Sequence, residues 1–189
     1  RKAVPFGGAK VNALDAAAQD EVLARVLPVL RGQASQSGHK LLHVDRQAVV
    51  MEFVNSQQLE ALAALGTSCP DHFLRTKIKP LILDESVYTL GGAELSKAIA
   101  AKLADYRADY AAYYERCKRA NSPALRDPNP VIILLPRIGM VAIAKDKATA
   151  RIAGEFYVNA INVMRDANAI DTYVGLPEQE AFDIEYWLL

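Results

Sequence analysis

The fold of this chain is decided by residues 129–164, NPVIILLPRIGMVAIAKDKATARIAGEFYVNAINVM. The apolar run at 131–135 predicts a central strand that is buried on both faces, and the segment Pro-Arg-Ile-Gly at 136–139 predicts a turn into a second strand over 140–144. Asp146 is a candidate N-cap for a long helix. The predicted buried stripe of that helix consists of Ile152, Phe156, Ala160, Val163 and Met164.

Outward from this stretch, helices alternate with short strands. The clearest helix has apolar residues close to the ~3.6-residue turn of an α-helix; they are Leu95, Ile99, Leu103, Tyr106, Tyr110, Tyr113 and Cys117. Short strands between long helices favour an α/β sandwich, a layered sheet with flanking helices.

The shorter elements are predicted from caps and breaks. A helix over 15–31 is expected to end at Gly32, and a short strand is predicted at 40–44. Asp45 and Ser56 are candidate caps for the next two helices, the second of which ends at Gly66. Residues 67–80 are predicted to be irregular, 81–83 to be a short strand, and 178–189 to be a terminal helix that Pro177 opens.

Composition excludes several classes of function. The 22 lysines and arginines balance 22 aspartates and glutamates, so no global charge favours nucleic acid or an anionic membrane. The two cysteines, Cys69 and Cys117, have neither zinc-ribbon nor C-x-x-C spacing and are expected to be reduced thiols of a cytoplasmic protein. No apolar run approaches the ~20 residues that a bilayer requires.

The ends of the chain indicate a piece of a larger protein. It begins at Arg1 without a methionine and stops within apolar helical turns. We expect residues 1–12 to be a linker from an upstream domain, 13–175 to form the α/β module, and 176–189 to lead toward a further domain.

Two common phosphate-site motifs are absent, and a third motif only superficially resembles a zinc site. No two glycines stand two residues apart, so neither the G-x-G-x-x-G dinucleotide fingerprint nor a P-loop is present. His39 and His43 form H-K-L-L-H, but residues four apart on a strand lie ~13 Å apart. That separation is too long for two ligands of one zinc ion with bonds of ~2.1 Å.

The most concentrated polar chemistry lies between Cys69 and Lys79. Asp71 and His72 are candidate catalytic residues, with His72 as an oriented base or a metal ligand. The candidates for binding a substrate phosphate are the nearby cations Arg75, Lys77 and Lys79. The alternative is a loop in which Asp71 caps backbone amides and the cations are solvated.

A row of tyrosines occupies one face of the helix that begins near Leu95. Tyr106, Tyr110, Tyr113 and Tyr114 could form an aromatic binding strip, but their helical spacing favours a core or an interface. An oligomer contact through this face therefore stays open.

Three strings resemble one protein family. They are GTSCPDHFLRTKIKPLILD at 66–84, residues 129–164, and YVGLPEQEAFDIEYW at 173–187. They resemble the middle, class II aldolase/adducin-like region of the bifunctional rhamnulose-1-phosphate aldolase/alcohol dehydrogenase proteins, which carry a carboxy-terminal short-chain dehydrogenase. The resemblance covers most of the chain.

That resemblance implies a parent enzyme with a divalent metal, zinc, and NAD. Such an enzyme cleaves a sugar phosphate to dihydroxyacetone phosphate and lactaldehyde and then converts the aldehyde. Class II aldolases hold their metal with an H-x-H pair and a later histidine in an H-G turn after a buried strand. Here Ile138 stands in that turn, and the three histidines form no H-x-H pair.

The resemblance predicts that this chain is a diverged and partial copy of the aldolase fold without a cofactor of its own. We expect it to link an upstream aldolase domain to a downstream dehydrogenase domain and to help a homo-oligomer assemble. The alternative is that the segment from Cys69 to Lys79 completes a metal-dependent aldolase site formed with another domain or subunit. We expect neither nucleic acid nor a membrane as a partner.

Overall fold

The computed structural model describes residues 4–36 and 38–187, which form one mixed sheet with helices on both faces. The strands are β1 (Leu41–Asp45), β2 (Leu81–Ile82), β3 (Ile132–Leu135) and β4 (Gly139–Ala144), in the order β1-β4-β3-β2. The helices are α1 (Ala16–Ala34), α2 (Ala48–Val54), α3 (Leu59–Leu65), α4 (Pro70–Thr76), α5 (Gly92–Cys117), α6 (Lys147–Ile170) and α7 (Glu178–Glu185), with 3-10 turns at Pro5–Gly7 and Glu85–Val87. The predicted α/β class is confirmed.

Strand β3 is buried on both faces, as its sequence predicts. Ile132 and Leu134 face a core formed with α2, α3 and α6. Ile133 and Leu135 face a second core formed with α1 and α5. Because side chains alternate across a strand, one uniformly apolar run supplies both cores.

The turn from β3 into β4 depends on unusual backbone angles. Arg137 has φ 68° and Gly139 has φ 142°, both in the region that favours glycine. A side chain on Gly139 would lie 2.5 Å from the carbonyl oxygen of Asp45, at the end of β1. The close approach of β1 to this turn therefore requires glycine at position 139.

The carboxyl ends of β2 and β3 meet at one edge of the sheet. The two strands are parallel, with Leu81 beside Ile133 and Ile82 beside Leu134. The chain leaves β2 toward Asp84 and leaves β3 at Pro136. In α/β folds ligands commonly bind outside the carboxyl ends of strands.

Several local predictions are wrong. Helix α1 passes Gly32 and ends at Ala34, which is fully buried, because packing outweighs the low helix propensity of glycine. Residues 70–76 form a helix instead of a loop, opened by Pro70. The caps of α2 and α3 are Gln47 and Gln58 instead of Asp45 and Ser56.

Helix α6 begins as predicted, since the carboxylate of Asp146 accepts from the amide of Thr149 at 2.8 Å. Its buried face is rotated from the predicted stripe, and Val163 is exposed while Ile152 and Phe156 are half-buried. The face that packs inward is rich in small residues, which let the helix approach the sheet closely: Ala150, Ala153, Gly154, Tyr157, Ala160, Ile161 and Met164.

The two ends of the described chain pack onto the sheet module. Phe6 is buried and lies edge-on to Phe53, with ring centroids 5.1 Å apart. The amides of Lys10 and Val11 donate to the carbonyl of Asn55 at 2.7 and 3.2 Å. Helix α7 packs against α4 and α5. The predicted linker and domain roles of these segments, which include undescribed residues at both ends, stay predictions.

Candidate functional site

The predicted catalytic pair lies on α4, but its two members have different surroundings. Asp71 is exposed in the first turn of the helix, whereas His72 is only 2% exposed. The Nε2 atom of His72 lies 3.4 Å from the amide nitrogen of Asn159, and its ring meets Phe156 edge-on at 5.6 Å. Helix α4 therefore presents the carboxylate outward and places the imidazole against α6.

The imidazole of His72 is in an environment that disfavours charge. Its Nδ1 atom is buried and has no hydrogen-bond partner among the described residues. Burial lowers the pKa of His72 below its usual value, and the nearby Asp71 opposes this shift. The surroundings of His72 thus favour the neutral imidazole over the imidazolium.

The three predicted phosphate-binding cations lie in three surroundings. Arg75 is exposed on α4, and Lys79 is half-buried in a small recess beside Tyr106 and Glu178. Lys77, at the carboxyl end of α4, turns inward with φ 63° and donates to the carbonyl of Asp127. Their assignment to a phosphate stays a prediction, as do those of Asp71 and His72.

Lys77 belongs to a buried polar cluster that sequence reasoning missed. Its ammonium lies 3.8 Å from the ring centroid of Tyr110, and burial lowers its pKa to about 8. Tyr110 donates to the carboxylate of Glu185 at 2.5 Å, and Tyr113 donates to it at 3.3 Å. Burial raises the pKa of Glu185 despite these donors.

The tyrosine face of α5 is largely internal. Tyr110 and Tyr113 are buried against Phe182 of α7 and against Tyr186, which directly follows α7. The core alternative is therefore confirmed for these two residues, and the oligomer contact through them is wrong because α7 already covers them. The predicted homo-oligomer itself stays a prediction. No local spacing links residues 110 and 185, so the sequence carried no signal for the cluster.

The described residues do not fit a family-type zinc site. They contain no group of three or more histidine, cysteine, aspartate or glutamate side chains placed to hold a metal ion. His39 is exposed, His43 lies on β1 beside Gly154 of α6, and His72 is buried against α6. His39 precedes β1, which carries His43, whereas His72 lies on α4.

The side chains and backbone groups of the turn after β3 are buried or bonded by other parts of the chain. Ile138 is fully buried in the core on the α1 and α5 side. The amide of Arg137 donates to the side chain of Asn55 at 2.6 Å, and its carbonyl accepts from Leu14 at 3.0 Å. Its guanidinium pairs with Glu85 at 3.0 Å. The turn position at which the resemblance to class II aldolases predicts a metal ligand is thus a core position here.

A cavity of about 300 Å³ lies beside this turn, and we call it the strand-end cavity. It is bordered by the segments that follow β2 and β3, by the amino-terminal segment and by α3. Its lining residues are Lys10, Val11, Val54, Ser56, Leu59, Glu60, Asp84, Glu85, Ser86 and Pro136. Lys102 holds the pKa of Asp84 well below its usual value, at about 2.

The layered sheet and the strand-end turn define a class II aldolase-like domain. Residues 21–189 match the family described as "Aldolase class II, second domain", and the chain belongs to this family. It is also 35% identical over 184 residues to the "Uncharacterized oxidoreductase YuxG" of Bacillus subtilis (strain 168). That alignment covers 97% of this chain and 27% of the relative, so the chain spans about a quarter of the relative's length.

No helix within 4–36 and 38–187 has the length and apolar content needed to span a membrane.

Proposed function

We propose that this domain is a non-catalytic linking and assembly module of a bifunctional sugar-phosphate aldolase and short-chain dehydrogenase. The parent reaction would be cleavage of rhamnulose 1-phosphate, followed by NAD-linked conversion of lactaldehyde. The family match and the longer oxidoreductase relative support this context. The domain would then connect upstream aldolase and downstream dehydrogenase parts in the cytoplasm.

The observation that supports the non-catalytic role is the complete burial of Ile138 in the core. A metal ligand at this turn would have to replace a fully buried core side chain, and the backbone on either side is already hydrogen-bonded. A catalytic zinc ion commonly needs three protein ligands. The inventory of the described residues supplies no such group.

Metal analysis and an activity assay test this role. We expect the purified chain to contain no stoichiometric zinc after dialysis against zinc-containing buffer and to leave rhamnulose 1-phosphate intact. Stoichiometric zinc together with cleavage by the isolated chain would overturn the proposal. In a longer protein that contains this domain, replacing it with a flexible linker should change the oligomeric state while both chemical activities persist.

In the alternative, the segment from Cys69 to Lys79 contributes to an active site that another domain or subunit completes. One feature of α4 favours it. Helix α4 presents Asp71 and Arg75 to solvent one turn apart, where a neighbouring part could reach them. The test measures sugar-phosphate cleavage by the Asp71→Asn and Arg75→Ala variants of the longer protein. These exposed positions are chosen over His72 because His72→Ala would also disturb the core. Loss of cleavage in both variants with normal folding supports this alternative, and unchanged turnover removes it.

A further inference from the structure

The strand-end cavity contains acceptors that the chain uses only in part. Glu60 pairs with Lys10 and Glu85 with Arg137, each at 3.0 Å and each through one carboxylate oxygen. Both side chains are partly exposed, 60% for Glu60 and 41% for Glu85, so their carboxylates retain lone pairs beyond these ion pairs. These carboxylates can accept hydrogen bonds from a bound molecule.

A second, independent feature is the hydroxyl of Ser56. Ser56 lines the cavity and is 1% exposed, yet its hydroxyl has no hydrogen-bond partner among the described residues. A buried hydroxyl without a partner is destabilising. The amino-terminal segment lies directly beside this residue, because Ala9 and Ser56 form a backbone bridge.

The charges around the cavity select the chemistry of the ligand. The lining cation Lys10 is already paired with Glu60 and offers no free charge to a phosphate, and the lining carboxylates are Glu60, Asp84 and Glu85. Each is already paired with a cation, so the cavity has no excess charge that requires an amine. A metal ion lacks a set of three placed ligands within the described residues.

The remaining walls are apolar, from Val11, Leu59 and Pro136 among others. We propose that the strand-end cavity binds a small neutral polyol or unphosphorylated sugar, of about three to five carbons given its size. The ligand's hydroxyl groups donate to Glu60 and Glu85 and bond with Ser56, and its C–H faces lie on the apolar walls. This site is independent of the proposed linking role.

Saturation-transfer NMR on the purified chain tests the proposal, with glycerol, erythritol and xylitol as probes. We expect transfer to at least one of them and its loss in Ser86→Trp, which fills the mouth of the cavity. Ser86 is exposed, and its backbone amide keeps its bond to Asp84 in the variant. Its hydroxyl contact with that carboxylate is lost, so the unfolding of both Trp variants is measured alongside binding. The matched control is Thr89→Trp, exposed and outside the lining, which should bind normally.

Ser56→Ala separates a binding role from a structural one. We expect the affinity for the polyol to fall about three- to tenfold, the effect of one hydrogen bond, while the melting temperature does not decrease. The proposal is overturned if no probe binds, if Ser86→Trp binds as well as the unaltered chain, or if inorganic phosphate or ethanolamine binds more tightly than every polyol.

Discussion

The phenolic oxygen of Tyr110 lies 2.5 Å from a carboxylate oxygen of Glu185, joining helix α5 to the end of helix α7. The carboxylate is buried, so its charge depends on donors from the chain. The same phenol lies 2.8 Å from the hydroxyl of Tyr186. These buried polar contacts, together with the ion pairs of Arg116 with Glu178 and of Arg119 with Asp183, join the last described helix to the carboxyl end of α5.

Tyr110→Phe should destabilise the chain more than a matched phenol deletion on the same helix. It removes a donor to a buried carboxylate, a loss of about 1.5–3 kcal/mol. Tyr106→Phe removes a hydrogen bond to the neutral carbonyl of Lys79 and should cost about 1 kcal/mol. Urea unfolding of both variants measures the difference. Equal losses would show that the charge of Glu185 does not depend on Tyr110.

Lys77 should make the stability rise with pH in alkaline solution. Burial lowers its pKa from 10.5 to about 8 in the folded chain. Between these values the unfolded chain binds a proton that the folded chain has lost, so the free energy of unfolding increases with pH. The increase should be on the order of 1–3 kcal/mol.

Urea unfolding from pH 7.5 to 9 measures this rise. Closer to pH 10 the tyrosines of the unfolded chain ionise while the buried ones, whose pKa values are raised, do not, and this lowers the stability. Lys77→Met should flatten the rise, whereas Lys97→Met, at an exposed position on α5, should retain it. The same slope in Lys77→Met and in the unaltered chain would contradict the assignment to Lys77.

His72 should make the chain sensitive to mild acid. Its pKa is lowered by burial, so between that value and 6.5 the unfolded chain binds more protons than the folded one. Stability is therefore fully present above about pH 6.5 and is lost as the pH falls toward the folded pKa. Thermal melts from pH 5 to 7.5 should show this loss. It should persist in His39→Gln, since His39 is exposed, and shrink in His72→Leu.

Two glycine substitutions should change the free energy of unfolding in opposite directions. Gly139→Ala places a methyl group against the carbonyl of Asp45 at positive φ and should cost more than about 2 kcal/mol. Gly32→Ala lies inside helix α1, where the added carbon meets nothing within 4 Å, and should stabilise by up to about 1 kcal/mol. Chemical denaturation measures both. A neutral Gly139→Ala would mean that β1 does not approach the turn so closely.

The sequence by itself determined the elements that depend on local periodicity. The uniformly apolar run of β3, the turn at Ile138 and the spacing along α5 each predict their structure, because burial on a strand or helix repeats at a fixed interval. The sequence also showed directly that its histidines form no H-x-H pair. These features were enough for the α/β class, whereas the resemblance to class II aldolases rested on the three strings at 66–84, 129–164 and 173–187.

Only the tertiary structure decided which polar groups meet. Lys77, Tyr110 and Glu185 are far apart in the chain, and no local pattern encodes their contact. The same holds for His72 against Asn159 and for the amino-terminal segment beside Ser56. Periodicity records which face of an element is buried, whereas the partner on the other side of that face depends on how the elements pack.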